Sequence, residues 1–313
     1  MTWNSRASRA AISAAATLPL LLGGCASADT IPLTSDTTAP SSHVTDEHEE
    51  LDAVIRDLEN STSTRIGLAA LNPVTGETYE HRADESFAMC STFKTYAAAQ
   101  VLRLAEAGET SLEKEVMIDP AKIVEYSPVT EPAAGTTMTL AELADAALTR
   151  SDNTAGNYLL EEIGGPPAVT AIAREMGDDS TRLDRWETEL NEALRGDPRD
   201  TSTPGELADG YEELLLGDGL TDADRERLVE WMRGSTTSDE RIRAGLPTGW
   251  TAADKTGGGQ FGTNNDAGVV WTPEGDPIVL VFLTDSSTGL PDAKANNNVI
   301  AKSTAAVVDA LKD

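Results

Sequence analysis

Histidine and cysteine are scarce in this 313-residue chain, and lysine is scarce among its basic residues. Of the three histidines, His43, His48 and His81, none stands beside a candidate nucleophilic serine, and no G-x-S-x-G turn occurs. Both absences argue against a histidine-based hydrolytic triad. There is no H-E-x-x-H, His/Cys cluster or calcium loop, so no metal and no other cofactor is expected. Lysine supplies seven of the 24 basic residues, which face 53 acidic ones, a formal net charge of −29. Nucleic acid and anionic membrane surfaces are therefore poor partners. The acids are spread along the chain; a hydrated acidic surface for life in high salt and a high-GC coding bias each account for them.

Long apolar runs are missing too, with one exception. Arg6 and Arg9 precede an Ala/Leu stretch from Ala10 to Gly24 that is too short to span a bilayer and ends in small residues. This is the pattern of an export signal over residues 1–24. Its end, Leu22-Gly23-Gly24-Cys25, resembles the processing box of bacterial lipoproteins, which implies a lipid on Cys25 and a protein tethered at the outer face of the cell membrane. Ordinary cleavage near Ala26-Ser27-Ala28, followed by secretion, is the alternative. Lipidation would leave Cys90, the only other cysteine, without a partner. No internal disulfide is then expected, and Cys90 reads as a buried, inert thiol. Residues 25–45, mostly Ser, Thr, Asp, Pro and Ala, have little to bury and read as a flexible tether, with the folded domain at 46–313.

Within that domain Leu51, Val54, Ile55 and Leu58 carry the spacing of an amphipathic helix over Glu49–Leu58. Arg65–Leu71 and Glu77–His81 read as a hairpin about the turn Asn72–Gly76. After Ser91 the chain is apolar on nearly every face through Leu104, as a helix buried on all sides would be. Thr139–Leu148, Asn153–Ile163 and Asp222–Met232 read as further helices. Strand patterns return at Thr251–Thr256, Asp266–Trp271 and Ile278–Leu283, and Ala293–Leu311 closes the chain as a helix. Strands at both ends around a helical middle predict an α+β fold: one antiparallel sheet flanked by terminal helices (about 46–85 and 236–313), with an all-helical segment inserted (about 86–235). The cleft between the two parts is the expected site.

Four short stretches carry chemistry: Ser91-Thr92-Phe93-Lys94, Ser151-Asp152-Asn153, Glu187-Thr188-Glu189-Leu190-Asn191 and Lys255-Thr256-Gly257. A serine and a lysine three apart on a helix share a face and can meet within hydrogen-bond reach. A serine hydroxyl is a weak nucleophile until a neighbour takes its proton, and a lysine can do so if burial or another cation lowers its pKa. Ser151-Asp152-Asn153, alone, reads as a helix-capping turn. Gly257 to Gly262 fits G-x-G-x-x-G, but strand pattern follows it where a dinucleotide site needs a helix.

All four in this order resemble the class A serine β-lactamases, from about residue 46 to the C-terminus. The resemblance implies a monomer of the β-lactamase/transpeptidase fold that acts on small β-lactam substrates. It implies Ser91 as nucleophile and Lys94 beside it, the backbone N–H groups of Ser91 and Gly258 as the oxyanion hole, and Ser151 as proton relay to the lactam nitrogen. Asn153 would hold the substrate's side-chain amide, and Lys255, Thr256 and Gly257 its carboxylate region. Glu187, with Asn191 four residues on, would fix the water that attacks the acyl-enzyme; whether Lys94 or Glu187 is the acylation base is disputed for the family. These two residues fall in an Ω loop from about Arg182 to Asp200, with Arg185 and Asp200 expected to pair across its neck. Many members have proline where this chain has Thr188.

Tyr126 falls where relatives place an aromatic at the mouth of the cleft. Relatives often carry a carboxylate-binding arginine on the strand after K-T-G; this chain has Asn264 there, and Arg241 matches the position from which other members supply it. Some carbapenem-hydrolysing relatives bridge the position of Cys90 to a cysteine where this chain has Gly259, so that bridge is absent and gives carbapenem hydrolysis no support. The rivals are a D,D-peptidase, which lacks the glutamate loop, and a penicillin-binding sensor that acylates without turnover.

Overall fold

The computed structural model describes residues 42–312; the export signal, Cys25 and most of the tether lie outside them. Helix α1 (Ser42–Thr62) is longer at both ends than its apolar spacing indicated. It takes in residues 42–45, which the sequence assigns to the tether. The hairpin follows as β1 (Thr64–Leu71) and β2 (Thr78–His81), turning on Asn72, whose side chain caps the N–H groups of Val74 and Thr75.

Strand β3 (Phe87–Ala88) leads into a 3-10 turn, Cys90–Phe93, and only then into α2 (Lys94–Glu106). The expected core helix therefore begins one turn after Ser91. Strands β4 (Glu115–Met117) and β5 (Thr137–Thr139) pair beneath a long loop. Helix α3 (Leu140–Thr149) starts on a reciprocal capping box between Thr139 and Glu142. Helix α4 (Asn153–Ile163) has the predicted bounds and ends at left-handed Gly164.

Helices α5 (Pro166–Glu175) and α6 (Pro204–Leu215), which the sequence reading did not assign, both open on proline at a first-turn position. Between them β6 (Thr201–Ser202) pairs with β3. Helix α7 (Asp222–Arg233) and the short α8 (Ile242–Gly245) precede β7 (Thr251–Gly258), β8 (Asn264–Trp271) and β9 (Pro277–Ser286), and α9 (Asn297–Leu311) closes the chain.

The first hairpin and the last three strands do form one sheet, in the order β2-β1-β9-β8-β7, with every pairing antiparallel. β9 shows why its sequence lacks polar alternation. Val279, Val281 and Leu283 face a core shared with α2 to α7, whereas Ile278, Leu280 and Phe282 face one shared with α1 and α9. A strand covered on both sides reads as a continuous apolar run. α2 is the centre of the first core, with Tyr96, Ala97, Ala98, Ala99, Val101 and Leu102 all buried. Gly257–Gly262 is the end of β7 and its turn into β8, not a strand-to-helix junction.

Candidate active site

The 3-10 turn at Cys90–Phe93 fixes the relation of Ser91 to Lys94, because residues three apart eclipse in such a turn. Asn265 of β8 fastens that turn to the sheet, its Nδ2 donating to the carbonyls of Ala88 (2.8 Å) and Met89 (3.1 Å). Tyr211 of α6 fastens the other side, its hydroxyl donating to the Thr92 carbonyl at 2.8 Å. Lys94 Nζ then lies 2.9 Å from Ser91 Oγ, and Ser91 Oγ lies 2.9 Å from Glu187 Oε1.

Lys94 is fully buried, and its ammonium also reaches Asn153 Oδ1 (2.7 Å), the Ser151 carbonyl (2.9 Å) and Glu187 Oε1 (3.0 Å). Burial pushes its pKa down, and the Glu187 charge opposes that shift. Lys255, equally buried, stands with Nζ 2.9 Å from Ser151 Oγ. Its pKa falls well below the ordinary lysine value, first through burial and then through the positive charges of Lys94 and Arg241.

Asp152 holds the Ser151–Asn153 turn. It caps α4 by accepting from Ala155 N (2.8 Å), and its buried carboxylate also accepts from Val129 N, Thr130 N and Thr130 Oγ1. The turn is thus a helix cap and a wall of the site at once. Asn153 in turn binds the carbonyls of Glu125 through Nδ2 (2.9 Å) and Tyr126 through its backbone N–H (3.0 Å), so exposed Tyr126 is pinned at the rim.

The loop Arg182–Asp200 closes as expected at its neck: Arg185 Nε donates to buried Asp200 Oδ2 at 2.6 Å. Asp200 Oδ1 accepts from the backbone N–H groups of Asp184 (2.8 Å) and Arg185 (2.9 Å). Glu187 is gripped through its backbone by Asn157, which donates to its carbonyl and accepts from its N–H, both at 2.9 Å. The Glu187–Thr188 peptide is cis. Glu187 Oε2 accepts from Asn191 Nδ2 at 2.6 Å, and the Asn191 carbonyl accepts from Gln260 N at 3.0 Å.

A cleft of about 870 Å³ opens beside this cluster, with Tyr126, Asn153, Asn191 and Gly258 among its lining. Thr256 Oγ1 lies 2.6 Å from Thr237 Oγ1. Gly257 has no room for a side chain, since a Cβ would stand 2.8 Å from the Met89 carbonyl; β7 therefore runs directly against the Ser91 turn. Arg241 sits behind β7, its Nη1 donating to the carbonyls of Asn265 (2.8 Å) and Gly257 (3.2 Å) and its Nε to Asn297 Oδ1 (3.1 Å). Cys90 is free and buried, its thiol pKa pushed well up by burial. Among the described residues no cluster of His, Cys, Asp and Glu could hold a metal ion.

Sequence reasoning missed Asn157, Asn265 and Thr237. Only Asn157 had a signal, one helical turn after Asn153 on the same face of α4.

A family profile described as "Beta-lactamase enzyme family" matches residues 49–311. The chain is 46% identical over 300 residues to beta-lactamase FAR-1 of Nocardia farcinica (strain IFM 10152), covering 96% of this chain and 95% of that one. It superposes on a β-lactamase from Desulfarculus baarsii with a TM-score of 0.82 at 42% identity, over 85% of this chain and 98% of that one. An ancestral (GNCA) class A β-lactamase gives a TM-score of 0.80 at 48% identity, over 83% and 100%. The chain belongs to the class A serine β-lactamase family. In this β-lactamase seven of the residues that the family resemblance singled out, Ser91, Lys94, Ser151, Asn153, Glu187, Asn191 and Lys255, are joined in one hydrogen-bonded cluster.

Proposed function

We propose that this enzyme opens the β-lactam ring of penicillin-type antibiotics through an acyl-enzyme on Ser91 and so confers resistance on the cell that makes it. The observation that carries the reading is the meeting of a buried amine and a buried carboxylate at one hydroxyl, Lys94 Nζ and Glu187 Oε1 each 2.9 Å from Ser91 Oγ. Attack on the lactam carbonyl requires that hydroxyl to lose its proton. Lys94 and Glu187 are both within reach of it, and burial favours the neutral amine that can accept it. The oxyanion would be met by the backbone N–H groups of Ser91 and Gly258, donors worth ~10²–10³ in rate each. As the ring C–N bond breaks, the leaving nitrogen takes a proton from Ser151, whose hydroxyl Lys255 can resupply across 2.9 Å.

Deacylation follows from the second half of the cluster. A water bound to Glu187 loses a proton to the carboxylate as it attacks the ester carbon, and Ser91 departs as the alcohol. Asn191 Oδ1, buried and without a protein partner among the described residues, is an acceptor for the same water. On the substrate, Asn153 would hold the side-chain amide, Tyr126 would flank it, and Lys255, Thr256 and Arg241 would meet the carboxylate. In the cell the enzyme would work as an exported monomer anchored by a lipid on Cys25.

Intact mass of Glu187→Ala during turnover of benzylpenicillin tests the mechanism. A persistent adduct of one penicillin per chain is the expected result, lost altogether in Ser91→Ala; undiminished turnover by Glu187→Ala, or labelling of Ser91→Ala, would remove those residues from the assigned roles.

A further inference from the structure

Arg195 lies in the far lobe of the Ω loop, four residues beyond Asn191, and crosses to the end of β9. Its Nη2 donates to Asp285 Oδ1 and, at 3.0 Å, to the carbonyl of Ser286. Asp285 cannot follow the loop if the loop moves, because Arg65 of β1 holds it from the other side. Arg65 Nη2 donates to Asp285 Oδ2 at 2.6 Å and its Nε lies 3.2 Å from both oxygens. Arg65 is itself fixed, its guanidinium 3.6 Å above the Phe87 ring and its Nη1 2.9 Å from Glu85 Oε2.

A second route runs from the same strand end to the same place. Ser286 N donates to the Phe261 carbonyl at 2.8 Å, Gln260 N donates to the Asn191 carbonyl at 3.0 Å, and Asn191 Nδ2 holds Glu187 Oε2 at 2.6 Å. The backbone route and the Arg195 route both end at Asn191, so they close a ring through the segment from Asn191 to Arg195, and Asn191 in turn holds Glu187 through its side chain.

We propose that Arg195 and Asp285 are positioning residues for deacylation, clamping the far lobe of the Ω loop to the sheet so that Asn191 and Glu187 keep the spacing that holds the attacking water. The inference rests on the acyl-enzyme reading above. Neither residue belongs to the Ser91 cluster, and with the Arg195 side chain 47% exposed the pair adds little to global stability. Its effect is on geometry, where a small displacement of a reacting water is costly in rate. Acylation does not use this water if Lys94 is its base, and the rate of acyl-enzyme loss uses it in every case.

The test is rapid-quench intact mass with benzylpenicillin, following formation and loss of the acyl-enzyme separately in the wild type, Arg195→Ala, Asp285→Asn and the double variant. Acyl-enzyme loss is expected to slow roughly three- to tenfold in Arg195→Ala, with formation within about twofold of the wild type if Lys94 is the acylation base and slowed no more than loss if Glu187 is. Because the two side chains act as one clamp, the double variant should be no slower than the slower single one. Loss at the wild-type rate in Arg195→Ala, slowing confined to acyl-enzyme formation, or fully additive slowing in the double variant would overturn the proposal. Glu187→Gln separates this from the reading beneath it: if that variant also fails to accumulate acyl-enzyme, the mechanism itself is wrong, and if it accumulates while Arg195→Ala does not slow, only the clamp is.

Discussion

The backbone of α4 at Gly156 lies against the buried stem of Lys94: a methyl group there would stand 2.7 Å from Lys94 Cε. Nothing else at this point in α4 requires glycine, which destabilises a helix interior by ~1 kcal/mol relative to alanine. Gly156→Ala should therefore shift Lys94 Nζ away from Ser91 Oγ while leaving the fold intact. A fall in kcat/KM for benzylpenicillin of about ten- to a hundredfold, with an unchanged circular-dichroism spectrum, is the expected outcome. Wild-type kcat/KM would show that Lys94 has slack that the packing does not suggest.

Asp266 and Asp254 are two buried carboxyl groups on one face of the β7–β8 pair. Asp254 is paired with Arg243, whereas Asp266 Oδ2 accepts from Ser238 Oγ and Ile242 N, and Oδ1 has no partner among the described residues. Burial first, and then the Asp254 charge, push the pKa of Asp266 from 3.8 up to about 7. The folded chain thus holds a proton that the unfolded chain has lost, so this group's contribution is complete below pH 3.8 and disappears as pH rises toward 7. Asn mimics the protonated acid. In urea unfolding at pH 5 and pH 8, Asp266→Asn should lose less stability between the two than the wild type, by on the order of 2 kcal/mol; parallel losses would mean that Asp266 is ionised throughout.

The neck of the Ω loop depends on a fully buried carboxylate. Asp200 accepts three hydrogen bonds, two from backbone N–H groups and one from the Arg185 side chain, which is itself mostly buried. Asp200→Asn keeps the shape and removes the buried charge opposite Arg185, leaving that cation only the half-exposed Glu192 carboxylate at 2.6 Å, a change that costs about 2–3 kcal/mol. A melting temperature lower by roughly 5–10 °C is expected in calorimetry. A shift of less than a degree would place the stability of the neck in its backbone bonds alone.

What could be read from the sequence and what could not divides along a physical line. Ser91 and Lys94 showed in their three-residue spacing, Ser151, Glu187, Asn191 and Lys255 through the order of motifs that resembles the family, and the sheet in the strand patterns at both ends of the domain, although only the structure shows that β9 is covered on both faces. Helices α5 and α6 could have been found from their proline starts. Asn265 and Asp285 could not, and Asn157 showed only as a residue one helical turn after Asn153, with nothing to mark its role. Each acts through a partner 20 or more residues away, Asn157 on Glu187, Asn265 on Met89 and Asp285 on Arg65, and no local pattern marks a polar residue whose partner is brought to it only by folding. The early start of Ser91, in a 3-10 turn ahead of α2, was hidden for the same reason, since Asn265 and Tyr211 hold that turn from other elements.

Arg241 offers the sharpest check on substrate binding. Its Nε and Nη1 are committed to Asn297, Asn265 and Gly257, which orients the guanidinium and leaves Nη2 for the proposed contact with a substrate carboxylate. Burial lowers its pKa, first among the causes, with the Asp266 and Asp254 charges opposing. Held by backbone carbonyls and not by a carboxylate, the cation keeps its charge available to a ligand. A binding contact made alike in ground and transition states raises KM without lowering kcat. Arg241→Ala should therefore raise KM for benzylpenicillin about tenfold while changing kcat by less than about threefold. The decisive comparison is a penicillin methyl ester, which lacks the carboxylate: if the substitution weakens the free acid and the ester by equal factors, Arg241 supports β7 and does not bind the substrate.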